Sequence, residues 1–164
     1  MNFFLTSGGS TRPLEAMRID NAGLITGAGT SLGAWTAWTP TVGGTGWAIG
    51  NGVTEAAYCQ IGNTVHFRIR VEWGTTSTFG AAAALTLQLP FAPRSGTLGL
   101  TGRAAGWAED VSASQRFPIE CQVGSTTTLT VRHASSPFAL TSSTVPFAWA
   151  STDSVNLVGT YETF

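Results

Sequence analysis

The sequence predicts an all-β protein: an antiparallel, jelly-roll-like β-sandwich with a small β segment before it. The first supporting observation is the segment 64–73, where apolar and polar side chains alternate without a break. Successive side chains on a strand point to opposite faces, so this strand has one apolar and one charged face. The second is that about seven or eight short segments of this kind follow from residue 54 onward at regular spacing. The third is the content of turn-forming residues, 20 Gly and 7 Pro in the whole chain, which recur every few residues. From residue 54 onward the sequence shows almost no helix signal.

Composition limits the classes of function. The 164 residues suffice for one main domain with a proper core. The net charge is −1, so no basic field is present to hold nucleic acid phosphates. No apolar run approaches the ~18 residues of a membrane span, and no secretory signal is visible. We therefore expect neither nucleic acid binding nor membrane insertion. With charged residues at only 10%, the surface also suits a protomer that is covered by copies of itself.

The N-terminal residues 1–33 differ from the rest and are predicted to form a separate segment, with a head domain at 34–164. Residues 14–19 are compatible with the start of a helix. Alternatively, residues 16–20 pair with residues 24–26 across a turn at Asn21-Ala22-Gly23, whose composition suits a tight turn. Such a hairpin is not stable alone, so it must pack on the body or on other chains.

Two tryptophans, Trp35 and Trp38, precede Pro40 at the boundary between these regions. One interpretation makes them aromatic plugs, which close the bottom of the sandwich or line a three-fold neck. The other makes them a platform on which sugars stack. Their place at a domain boundary favours the plug.

The clearest supersecondary element is a hairpin over residues 54–73. Its turn is Gly62-Asn63, a two-residue connection of the length and composition that hairpins use. Cys59 in the first strand, and Cys121 in a later one, have apolar neighbours of the same parity, which predicts two buried free thiols. A disulfide between them is left open, because sequence alone does not decide pairing.

Further strands are expected at 85–89, 97–107, 119–123, 127–131 and 154–163. Glycines 99, 102 and 106 interrupt one of them, as glycines do at bulges or where another backbone approaches closely. After that strand, Glu109-Asp110 is predicted to open a polar loop that runs to Arg116.

Two parts of the chain resemble a known family. Ala16-Met17-Arg18-Ile19-Asp20-Asn21-Ala22-Gly23, followed by TGAGTS at 26–31, resembles the "MRID…G…GIGT" shaft element of bacteriophage tail-fibre and tail-spike proteins. Segments 34–41, 58–70, 146–150 and 159–162 resemble the C-terminal head domain of tail fibres and minor tail proteins in phages of high-GC hosts. The resemblance implies an intertwined homotrimeric virion appendage, assembled in the host cytoplasm, which often carries host recognition at its tip.

A trimer of this kind would bury the shaft strands and part of the arginine-bearing face of strand 64–73. That face would then form an inter-subunit salt ladder; the alternative is a solvated face. The residues expected at the trimer interface are Met17, Ile19, Leu24, Ile25, Trp35, Trp38, Arg68 and Arg70.

The candidate ligand site is the cluster of Trp107, Glu109 and Asp110, where an indole is available for stacking and carboxylates for sugar hydroxyls. Its alternative is a solvated loop beside a core tryptophan. Trp47, in the glycine-rich segment 41–52, is a further candidate for ligand contact.

No chemistry beyond binding is expected. His66 and His133 are the only histidines, and neither has a Cys or carboxylate at metal-ligand spacing. We therefore expect no enzyme, metal or cofactor, and predict a virion fibre or spike protein that binds a host-surface glycan or cell-wall polymer. The alternative is a structural head-fibre, decoration or baseplate protein that attaches to other tail or head proteins; a glycan depolymerase acting through Glu109 and Asp110 is less favoured.

Overall fold

The regular structure in a computed structural model of the chain is entirely β. Side chains are described for residues 33–80, 84–94, 102–121, 123, 127–134, 140–163, and the backbone also for 122, 139 and four N-terminal strands. Within these residues no helix occurs, which confirms the all-β class. The strands are β1 Asn2–Leu5, β2 Leu14–Ile19, β3 Ile25–Gly27, β4 Thr30–Ser31, β5 Thr36–Trp38, β6 Val42–Gly43, β7 Val53–Ile61, β8 Thr64–Glu72, β9 Thr86–Gln88, β10 Gly102–Asp110, β11 Gln115–Val123, β12 Thr128–His133, β13 Ala139–Leu140 and β14 Ser154–Glu162.

The strands before residue 33 form a four-stranded antiparallel sheet of their own, in the order β1-β2-β3-β4. Ile19 lies opposite Ile25 in the β2–β3 pair, so the hairpin interpretation of this segment is confirmed and the helical one is wrong. The turn that joins these two strands lies outside the described residues.

The body is one ten-stranded antiparallel sheet in the order β5-β7-β8-β14-β10-β11-β12-β9-β6, with β13 beside β12. Its two edge strands, β5 and β6, are consecutive in the chain and joined by residues 39–41. A connection of this length spans at most about 14 Å. The sheet therefore curls until its edges approach each other. Separation into the two layers of a sandwich remains a prediction, because all ten strands share one hydrogen-bonded sheet.

The β7–β8 hairpin has the predicted geometry. Ile61 pairs with Thr64 across Gly62-Asn63, and Gly62 has a φ of 59°, which glycine adopts without the strain of a Cβ. All five apolar side chains of the segment 64–73 are buried. The period-two alternation thus correctly assigned one face of β8 to the core.

The core lies on the inner, concave face of the curled sheet and ends in an aromatic cluster. Trp73 packs against Trp47, Phe79 and Trp149, with ring centroids 5.4–6.0 Å apart. The aliphatic part is contributed by β8, β9, β11, β12, β14 and the residues beside β9. Its most deeply buried members are Val65, Val71, Leu85, Leu87, Ile119, Val123, Leu129, Val131 and Val155.

Strand β10 runs further than expected. It includes Glu109 and Asp110, so these residues end a strand instead of opening a loop, and a four-residue turn at 111–114 follows. The register with β14 is continuous, so no bulge occurs within β10. The other predicted reason for a glycine, close approach of a neighbouring backbone, applies to Gly106. A Cβ at this position would overlap the carbonyl oxygen of Asn156 on β14. Gly99 lies outside the described residues.

Both cysteines are buried free thiols, as predicted. Cys121 lies on the inner face, where burial raises the pKa of its thiol to about 12. Cys59 pairs with His66 on the opposite, outer face and is covered by the chain at Gly33, where a Cβ would be 3.7 Å from Sγ. The two thiols therefore lie on opposite sides of the sheet, which excludes the disulfide between them in this fold.

Candidate functional site

The candidate functional surface is the outer face of the five neighbouring strands β7, β8, β14, β10 and β11. Its side chains alternate along each strand with the buried ones of the core face, as the pleat requires. Val158, 62% exposed, lies near its centre. Members on the three middle strands are His66, Arg68, Arg70, Asn156, Val158, Thr160, Arg103, Ala105, Trp107 and Glu109.

Trp107 lies on this face between Asn156 and Pro118 and is 41% exposed. The Arg116 guanidinium lies 5.5 Å from the centroid of its ring. Arg116 Nε also donates a hydrogen bond to Glu109 Oε1 at 3.0 Å. The Arg116 guanidinium thus lies between the Trp107 indole and the Glu109 carboxylate at the β10–β11 hairpin and contacts both. We call this arrangement a stack.

Asp110 does not join this stack, since it follows Glu109 on the strand and points to the other side. Its Oδ1 accepts hydrogen bonds from Ser112 Oγ at 2.7 Å and from the Ala113 backbone N–H at 2.9 Å. These bonds, the side-chain one first, lower the pKa of Asp110. The prediction that Trp107, Glu109 and Asp110 form one cluster is therefore wrong in the case of Asp110. This residue instead stabilises the turn between β10 and β11. A facing carboxylate pair for glycoside hydrolysis is not formed by these two residues.

Trp47 is not part of the surface either. It is 5% exposed, and its ring contacts Trp73, Phe79 and Trp149 in the core. Its predicted role in ligand contact is wrong, because an indole enclosed by three other rings offers no face to a ligand.

Two grooves run along the outer face on either side of Val158. The first, which we call the Trp107 groove, has a volume of 390 Å³ and lies over β7, β8, β14 and β10. Arg70 in its lining is paired, since a guanidinium nitrogen lies 3.7 Å from a carboxylate oxygen of Glu55 and Arg70 also contacts Glu72, whereas Arg68, which this groove shares with the second one, has no such ion pair with any residue whose side chain is described. The polar lining is completed by Asn156, beside the exposed indole.

The second groove, the Trp35 groove, has a volume of 670 Å³ and lies over β8, β14 and β10 under the segment that leads into β5. Trp35 is half exposed, and the Arg68 guanidinium lies 4.8 Å from the centroid of its ring. The indole reaches this place because β5 pairs with β7 at the sheet edge, with Thr36 opposite Tyr58. His66 and Arg103 also line the groove.

The residues expected at a trimer interface have different positions. Met17, Ile19 and Ile25 lie in the N-terminal sheet, where only the backbone is described, and Leu24 lies outside the described residues. Trp35, Arg68 and Arg70 lie on the outer face. Trp38 instead faces the core, where its ring meets Tyr58 at 5.8 Å. Of the two predicted plugs, only Trp38 therefore closes the body, and Trp35 remains accessible.

Asp153, which precedes β14, is a buried structural carboxylate, 1% exposed. Its two oxygens accept hydrogen bonds from the backbone N–H groups of Val111 at 3.0 Å and Ala150 at 2.7 Å. Burial raises the pKa of Asp153, partly offset by these two bonds. The residue joins the β10–β11 turn to the segment before β14.

Val158 and Arg103 are the surface residues that sequence reasoning missed. A signal for Val158 existed: it is an apolar side chain at the polar parity of β14, between Asn156 and Thr160. Nothing in the sequence around Arg103 indicated a surface role. Arg103 and Arg68 line the same groove only because β14 lies between β8 and β10.

No group of three or more His, Cys, Asp or Glu side chains suited to a metal ion occurs in the part of the chain that the structure describes. Among the same residues no helix is long and apolar enough to cross a membrane. No family model, no curated protein and no solved structure matches this chain.

Proposed function

We propose that this chain is a homotrimeric fibre or spike protein of a bacteriophage virion, and that its β body binds a host-surface glycan or cell-wall polymer. The resemblance of segment 16–31 to fibre shafts, and of the body to fibre heads, supports the virion role. The accessible indoles support the binding role.

The observation that carries the proposal is the pair of exposed tryptophans on one sheet face. Trp35 and Trp107 each lie beside an arginine and line neighbouring grooves that share Arg68 and Val158. An indole offers a flat apolar face to the C–H side of a sugar ring, while arginine and asparagine donate hydrogen bonds to its hydroxyls. Two adjoining open grooves suit an extended polymer better than a small compact ligand.

The N-terminal sheet supports a trimer. Two of its strands, β3 and β4, have only three and two residues. A sheet this small needs a packing partner for stability in water. In a trimer, the equivalent sheets of the other copies supply that partner.

Val158 favours a second candidate, a structural virion protein. Exposed Val158 lies between Arg68 and Ala105, with Ala57 on the far side of Arg68, and this mixture of apolar and charged side chains resembles the apolar centre and polar rim of a protein interface. In this case the outer face attaches to another tail or head protein instead of a host polymer.

Two measurements test the proposal. Light scattering at micromolar concentration should give three times the mass of the 17.1 kDa chain, and a monomer would contradict the trimer.

Fluorescently labelled protein should decorate a subset of a panel of high-GC bacteria. Trp107→Ala should weaken this binding about tenfold, or ~1.4 kcal/mol, without dissociating the oligomer. Protein that decorates no cells but binds purified virion components would favour the structural role.

A further inference from the structure

The Trp35 groove differs from the rest of the outer face in its charge. Arg70, Arg94 and Arg116 each have a carboxylate within 4 Å. Arg68 and Arg103, both in the Trp35 groove, have no such partner among the described residues, and neither has Arg132, which lies on β12 outside the groove. The described lining of this groove holds His66 as a further basic group and no carboxylate at all. In a chain of net charge −1, this is a local site for a negative group.

We propose that the Trp35 groove binds an anionic saccharide, a sugar unit that bears a carboxylate or a phosphate. Arg68 and Arg103 pair with the anion, and Trp35 covers the sugar ring. This assignment rests on the proposed function and deepens it, because it names the class of host polymer and the site that recognises it.

The strand register produces a charged row beside an apolar one. His66, Thr160 and Arg103 lie opposite one another on β8, β14 and β10, and they form the polar row. Neighbouring strands are about 4.8 Å apart, so the outer members of the row have backbones about 10 Å apart, with the Thr160 hydroxyl between them. That width accommodates one sugar unit with its charged group.

On the same three strands the next row consists of Arg68, Val158 and Ala105, and Glu120 lies opposite Ala105 on β11, outside the lining of the groove. Its two apolar members form a floor against which the C–H face of a sugar can pack, and its arginine adds the second cation. A saccharide presents both kinds of surface, hydroxyls or anions at its edge and C–H groups on its face. The two rows therefore match it better than they match a simple inorganic ion.

The contact between Trp35 and Arg68 prepares the site. With its guanidinium stacked over the indole at 4.8 Å, Arg68 keeps the N–H groups in the guanidinium plane available as donors. The same contact holds the exposed indole at the edge of the groove. Because the positions of both side chains are already set before binding, less conformational entropy is lost when the sugar is bound.

Calorimetric titration of the full chain with three probes tests the assignment. The probes are oligogalacturonate for the carboxylate, a glycerol phosphate oligomer for the phosphate, and a neutral dextran oligosaccharide as control. One or both anionic probes should bind, whereas dextran should not. Affinity should also fall as salt is added, since partly exposed ion pairs are screened. Equal binding of dextran, or no binding of either anionic probe, would overturn the assignment.

Variants locate the site. Arg68→Gln and Arg103→Gln should each reduce the affinity for the anionic probe about tenfold or more, the loss expected for a charge-assisted bond. The matched control is Arg94→Gln, which removes the same charge at an exposed position outside the groove and should leave affinity unchanged. Equal loss in all three variants would mean a general charge effect and contradict the site. A change of oligomer mass in the groove variants, with probe affinity unchanged, would make the groove an interface between copies instead.

Cell binding separates this inference from the proposed function. If the two groove variants decorate cells as well as the unmodified protein, while Trp107→Ala does not, the fibre function stands and the anionic site is wrong. If the anionic probe binds through Arg68 and Arg103 but no cell is decorated, the site stands and the proposed receptor-binding function fails.

Discussion

The inner tryptophans and the outer tryptophans of the body use the same side chain in opposite ways. Trp47, Trp73 and Trp149 are buried and meet one another at ring distances of 5.4–6.0 Å. Trp35 and Trp107 are about half exposed, and their ring neighbours are arginines at 4.8 and 5.5 Å. The inner cluster therefore excludes water from the end of the sheet, whereas each outer indole keeps an accessible surface. The face of the sheet, not the residue type, determines which role an indole has.

Trp73→Ala should give the largest effect. Removal of a fully buried indole leaves a cavity among Trp47, Phe79 and Trp149, so the free energy of unfolding should fall by about 3–5 kcal/mol. Urea titration followed by circular dichroism measures it. Trp35→Ala is the matched outer control, and a similar loss in both variants would contradict the distinction between the two faces.

Asp153→Asn should give the next largest loss of stability. The amide keeps one acceptor oxygen but turns an NH₂ group toward a backbone N–H, so one buried bond is lost and two donors face each other. The expected loss is about 1–3 kcal/mol in urea titration. The control is Ser154→Ala at the neighbouring buried position, which leaves both backbone bonds to Asp153 in place and removes only the bonds of the Ser154 hydroxyl to Asn156 and Glu109, so it should lose less stability than Asp153→Asn.

The unmodified protein and Asp153→Asn should also differ in how their free energy of unfolding depends on pH. Because burial raises the pKa of Asp153, the folded state binds its proton to a higher pH than the unfolded chain. Its contribution to stability is therefore fully present below about pH 3.9 and falls as the pH rises through the folded-state pKa. The difference in unfolding free energy between the unmodified protein and Asp153→Asn should be larger at about pH 4 than at about pH 7. A difference that grows with pH would show that the shift has the opposite sign.

Trp35→Ala tests the other side of the comparison. Loss of a half-exposed indole should change the free energy of unfolding by less than about 1 kcal/mol, because little apolar area is lost from the core. The affinity for the anionic probe should nevertheless fall about tenfold. Calorimetry and urea titration on the same preparation measure both quantities, and a stability loss without an affinity loss would assign Trp35 to the core.

Glu55→Gln should have the smallest effect. Its pair with Arg70 is exposed and 3.7 Å long, so solvent screens the attraction. The expected change in unfolding free energy is less than about 0.5 kcal/mol. A loss above ~1 kcal/mol in urea titration would show that the outer face is more tightly organised than its exposure indicates.

Local pattern predicted much of the fold. The alternation in β8, the Gly62-Asn63 turn and the existence of a strand at 154–163 were all predicted correctly, because strand pleat and turn geometry depend on near neighbours in the chain. The hairpin between β2 and β3 was predicted for the same reason.

The candidate site was less accessible to prediction. Glu109 and Asp110 are adjacent in sequence, yet one pairs with Arg116 and the other accepts bonds within the turn. Adjacency suggested a cluster, but the continuation of β10 through both residues sends them to opposite sides. Similarly, Cys59 is buried because the chain at Gly33 covers the outer face there, an arrangement that its own neighbours in sequence do not indicate.

The sequence alone determined that the chain is all-β and which face of its clearest strands is apolar, because side-chain periodicity is a property of the strand itself. Only the tertiary structure decided that β14 lies between β8 and β10. This strand order brings Arg68 and Arg103, distant in the chain, to one groove under Trp35. The physical reason is that pairing between distant strands depends on how the whole sheet closes over its core, so the surface that results is set by long-range packing and not by any one segment.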